Sequence, residues 1–139
     1  MKRCLTAVAV AAAMACAQGQ ETFKTRLSPV PIDAQLAPVV TGHGSVSAVL
    51  AGTKLTVTGS FEGLRSAATS AHLSLGKTMP GVRGAAIHEL TLSKAMSGNI
   101  SGSVDLTPAE AEALRKGLLY VQVDSAGAKD GNLWGWLLK

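Results

Sequence analysis

The chain has 139 residues, 47% hydrophobic, 16% charged and 4% aromatic, with a formal net charge of +4. That length holds one domain, and so low a charge with so high an apolar content excludes a disordered chain. Fifteen glycines and five prolines argue against a helical bundle, and no reaction is legible in the sequence.

Lys2 and Arg3 precede an uncharged, alanine-dominated run from Leu5 to Ala17. The run is too short for the roughly 30 Å hydrocarbon core, which needs about 20 residues. A basic start, a short apolar stretch and the A-x-A site Ala15-Cys16-Ala17 predict a secretory signal peptide over 1–17, with the domain over 18–139. Export to the periplasm or the exterior is therefore expected. The competing reading lipidates Cys16 and is the one way this chain would meet a membrane. Ala13-Met14-Ala15-Cys16 lacks the leucine usual three residues before such a cysteine, so soluble export is preferred.

Cleavage before Gln18 removes Lys2 and Arg3, leaving eleven basic against nine acidic residues, a net charge of +2. No basic cluster with interleaved aromatics remains to follow a phosphate backbone, so no nucleic-acid partner is expected. Cys4 and Cys16 are removed too, and with them any disulfide, Cys-bound metal or cysteine nucleophile.

Period-two alternation governs the rest. Phe23 to Leu27 reads as a first strand. Gly42-His43-Gly44 reads as a flexible turn. Val46, Ala48 and Leu50 form one apolar row, Gly52-Thr53 turns the chain, and Leu55, Val57 and Phe61 form the next. Ala71, Leu73 and Leu75 alternate with Ser70, His72 and Ser74. Strands follow at 87–92, 100–106, 118–123 and 133–138, with turns at Met79-Pro80-Gly81, Ser97-Gly98-Asn99 and Asp130-Gly131-Asn132. About eight short strands make an antiparallel β-sandwich or barrel. One helix of about ten residues interrupts them: Thr107 as N-cap, Pro108 at the first helical position, Glu110 closing a capping box, Leu114 facing inward and Gly117 as the stop.

The ordered set Thr69-Ser70-Ala71-His72-Leu73, Gly76, Gly81, Gly84, Leu90, Leu106-Thr107 with its helix to Leu114 and Gly117, Tyr120-Val121, Val123 and Gly131-Asn132-Leu133-Trp134-Gly135 resembles the CHRD domain, named for its repeats in chordin and common in exported bacterial proteins. The resemblance runs from about Phe23 to Leu138. It implies an immunoglobulin-like or superoxide-dismutase-like antiparallel sandwich and no established catalytic activity. The family pattern is typically His-x-His at His72, with another histidine where this chain has Asp124. Residues i and i+2 share a face, so such histidines could share a copper or zinc ion. Here Ser74 replaces the second and Asp124 the third. One imidazole and one carboxylate fall short of the three or four ligands of a firm site. His72 is read instead as a half-exposed strand histidine bonded to a neighbour, and no cofactor is expected.

Elsewhere, His88 and Glu89 are sent to opposite faces by period two, and Glu110 and Glu112 do not face each other on a helix. Nucleophile-elbow, dinucleotide and P-loop motifs are absent. Asn99-Ile100-Ser101 is a formal glycosylation sequon, read as a turn entering a strand. Trp134 and Trp136, the only tryptophans, share one face of the last strand while Leu133 and Leu137 share the other. One row is expected to fill the core and the other to pack beneath the helix or a loop; the competing reading is an aromatic platform for a partner. The sequence thus reads as a non-catalytic exported module that binds an unidentified protein or glycan or serves structurally. The alternative is a copper- or zinc-handling protein shaped like copper–zinc superoxide dismutase.

Overall fold

The computed structural model describes residues 20–30, 38–77 and 82–139. The signal segment with Cys4 and Cys16 and the turn at Met79-Pro80-Gly81 lie outside the described residues. Eight antiparallel strands follow one another: β1 (Gln20–Pro29), β2 (His43–Ala51), β3 (Lys54–Glu62), β4 (Ala68–Leu75), β5 (Ala85–Leu92), β6 (Gly98–Asp105), β7 (Leu119–Ser125) and β8 (Ala128–Trp136). A single helix among the described residues, α1 (Pro108–Arg115), joins β6 to β7.

The strand order β1-β2-β3-β6-β5-β4-β7-β8 closes into a barrel, one of the two forms the alternation allows, where the family resemblance implied a sandwich. Two short seams close it. β1 pairs with β2 from Gln20 to Leu27, then sets Ser28 and Pro29 against Trp134 and Leu133 of β8, and Lys24 adds a bridge to Leu138 just beyond β8. Proline has no N–H to donate, which suits it to this strand end. On the other side only Thr91 and Leu92 of β5 meet Ser101 and Ile100 of β6. A strand that changes sheets turns a corner, and this is how two stacked sheets join.

The alternating rows read from the sequence face inward. Val46, Ala48 and Leu50, Leu55, Val57 and Phe61, and Ala71 and Leu73 are all buried, together with Phe23, Leu27, Ile100, Leu133 and Leu137. α1 lies at the end carrying the β2–β3 turn, where the Leu106 N–H donates to the Thr53 carbonyl. Its Ala111 and Leu114 enter the core. The helix runs eight residues, shorter than expected, with both halves of the capping box formed: the Glu110 N–H donates to Thr107 Oγ1 at 3.1 Å and the Thr107 N–H to Glu110 Oε1 at 3.0 Å. Gly117 ends it at φ +75°.

Three predicted turns are strand in whole or in part, with Gly98 and Asn99 of one of them opening β6. His43 opens β2, paired with Glu62. Asp130-Gly131-Asn132 lies inside β8; the chain reverses earlier, at Ala126 and Gly127.

Candidate functional site

The outer face of β4, β7 and β8 gathers the polar and aromatic side chains that alternate with the core rows. β4 presents Ser70, His72 and Ser74 opposite Asp124, Gln122 and Tyr120 of β7. Tyr120 and Gln122 in turn stand opposite Trp136 and Trp134 of β8. The pleat alone puts these eight on one surface.

Asp124 anchors the polar half and is only 8% exposed. Its Oδ2 accepts from Ser70 Oγ and its Oδ1 from Gln122 Nε2, both at 2.9 Å. His72 Nδ1 stands 3.7 Å from Asp124 Oδ2, an ionic contact when the imidazole carries a proton. The expected pair is therefore brought together. Among the described residues, no third His, Cys, Asp or Glu joins them in a group able to hold a metal. Two donors at this spacing do not fit the copper or zinc cluster that the family resemblance implied.

The sequence reading missed Ser70, Gln122 and Arg83. Arg83 reaches back from the segment before β5: its Nη1 donates to the Asp130 carbonyl at 2.9 Å and lies 3.4 Å from Gln122 Oε1. Gly131, at φ +130°, makes room for it, since a Cβ there would sit 2.9 Å from that Nη1. The same segment covers the aromatic half. Tyr120, 1% exposed, accepts the Gly84 N–H at 3.0 Å and donates to the Gly84 carbonyl at 3.1 Å. Trp134 and Trp136 are half-buried on this outer face, with Leu133 and Leu137 supplying the core row. The Tyr120 centroid lies 4.5 Å from that of Trp136 and 5.9 Å from that of Trp134. The Trp136 ring rests on Gly76, where a Cβ would meet it at 2.8 Å. Trp136 thus packs against the segment that follows β4, and its Nε1 is buried without a partner among the described residues.

Between these halves lies a concavity of about 580 Å³, floored by His72, Ser74, Tyr120, Gln122 and Asp124 and rimmed by Lys77, Arg83, Lys129 and Asp130. The other histidines stand elsewhere, each on its own carboxylate: His43 Nε2 lies 2.8 Å from Glu62 Oε1, and His88 Nε2 3.2 Å from Glu110 Oε1. Glu110 titrates below the usual glutamate range, first because the Thr107 backbone N–H bonds its carboxylate and also because His88 faces it. Among the described residues the serine hydroxyls that donate do so to Asp124 and Asn132, and none bonds a histidine.

Fold and site together define an all-β barrel bearing a preformed polar concavity on the outside of one face. The family model of the CHRD domain matches residues 23–137, nearly the whole chain. The chain belongs to the CHRD domain family. No curated protein and no solved structure matches it.

Proposed function

We propose that this CHRD domain is an exported, non-catalytic binding module whose recognition surface is the outer face of β4, β7 and β8. The observation that carries this reading is the concavity itself. Asp124 and Gln122 on its floor stand on β7 and belong to a hydrogen-bonded chain that runs from Ser70 of β4 to Arg83 in the segment before β5. Recognition needs such preorganisation, because groups already held in place lose little freedom when a partner arrives. Its volume suits a small ligand or one projecting group of a larger partner. We read the barrel as a flattened relative of the immunoglobulin-like and superoxide-dismutase-like sandwich, since both seams are short.

Export rests on the basic, apolar and A-x-A order of residues 1–17. Intact mass spectrometry of exported protein is expected to give a chain beginning at Gln18. A diacylated Cys16 would replace soluble export with a membrane anchor.

Capture from the exported fraction tests the binding reading. The purified protein is expected to retain a protein or glycan that Arg83→Glu with Lys129→Glu releases and that Lys24→Glu with Arg26→Glu, on the opposite sheet, does not. Equal capture by all three, or loss only with the second pair, would overturn the assignment of this face.

A further inference from the structure

We propose that the concavity receives an anionic oxygen group, a carboxylate or a phosphate, carried by a small ligand; this rests on the binding-module reading and names its ligand chemistry. Lys77, Arg83 and Lys129 line it against Asp124 and Asp130, an excess of one positive charge with His72 neutral. Both oxygens of Asp124 are already engaged, by Ser70 and Gln122. That carboxylate therefore already has donors from the protein, whereas none of the three cations is paired with a carboxylate among the described residues.

Arg83 is the best-placed of them. Its Nη1 is anchored on the Asp130 carbonyl over Gly131. Among the described residues, its Nε and Nη2 donate to nothing. A guanidinium pinned by one nitrogen keeps a planar pair of donors for an oxyanion, and the pinning removes rotamer freedom that a surface arginine would lose on binding.

Ser74 adds a hydroxyl to the floor. It lines the concavity at 4% exposure. An oxyanion seated between Ser74 and Arg83 would accept a hydrogen bond from it. The groove on the opposite sheet, lined by Lys24, Arg26, Ser45, Ser47 and Thr58, also carries two cations. Neither is bonded there in a fixed geometry among the described residues, so it serves as the control.

The test is titration of the isotope-labelled protein with sodium phosphate, sodium acetate and maltose at constant ionic strength, followed by backbone amide resonances. Saturable shifts at Ser74, Gly84, Gln122 and Lys129 are expected with phosphate, acetate or both. Phosphate alone would identify a phosphate group as the source, and acetate alone a carboxylate. Arg83→Gln should weaken the response roughly tenfold or more, because charge-assisted bonds to the anion are lost. Ser74→Ala should weaken it less, and Lys24→Gln should leave it unchanged. If Arg83→Gln fails to fold, Lys129→Gln replaces it. No saturable shift with either anion, or equal affinity in the Arg83→Gln protein, would overturn the inference. Shifts at the same amides with maltose alone would overturn the anion chemistry while upholding the binding face. Silence with all three, together with partner capture insensitive to Arg83→Glu, would overturn both.

Discussion

His72 and Asp124 stand diagonally across the β4–β7 ladder, His72 opposite Gln122 and Asp124 opposite Ser70, with 3.7 Å between Nδ1 and Oδ2. Titration with copper or zinc should therefore show weak, non-stoichiometric binding, with no more protection against thermal unfolding than a His72→Ala control shows. Ser74→His with Asp124→His places three imidazoles on this face and should raise the affinity, because imidazole is the donor these ions favour. A tight one-to-one site abolished by His72→Ala would contradict the two-donor reading.

Thr107 caps α1 through the bond its hydroxyl accepts from the Glu110 N–H. Thr107→Ala should cost about 1 kcal/mol. An unchanged urea midpoint would mean that the cap is replaced by water at no cost.

The aromatic layer should be worth more. Tyr120→Phe removes two bonds to Gly84, and the expected loss is about 1–2 kcal/mol with faster exchange of the Gly84 amide. Trp136→Ala strips a half-buried ring from Tyr120 and Gly76. It should cost about 2 kcal/mol or more, at or below the lower end for fully buried tryptophans. Wild-type stability in both variants would mean that the layer does not hold the segment down.

Acid should weaken the fold through two glutamates. Glu21 titrates below its ordinary range because Lys139 bonds it, at 2.7 Å, and Arg115 bonds it as well, at 3.0 Å. Glu110 is lowered by the Thr107 N–H and His88. A depressed folded pKa gives stability that is fully present above the unfolded value, about 4.3 for glutamate, and is lost as pH falls through the folded one. Urea midpoints should therefore decline below about pH 4.3, and less steeply in Glu21→Gln. An identical acid limb in that variant would show that the clamp between β1, α1 and the C-terminal lysine carries no linkage.

The strands were legible because one row of each faces the core: Val46, Ala48 and Leu50 announce themselves by alternation, and all three are buried. The capping box was legible because its partners lie three residues apart. Barrel closure was not, since the short seams at Ser28–Pro29 and Thr91–Leu92 leave no trace in hydrophobic pattern. His72 and Asp124 were legible as a candidate pair through the family resemblance. Arg83 was not, because it lies in an aperiodic segment and its partners Gln122 and Asp130 are 39 and 47 residues away. Gly131 misled for a related reason: a glycine flanked by Asp and Asn has the composition of a turn, whereas here it makes room for a guanidinium.

Site-directed photo-crosslinking tests the recognition face most directly. A photoreactive phenylalanine analogue placed at Lys129, on the rim of the concavity, should form a covalent adduct with the exported partner. The same group at Ser47, in the groove of the opposite sheet, should not. Adducts from position 47 with none from position 129 would contradict the account and move recognition to the other side of the barrel.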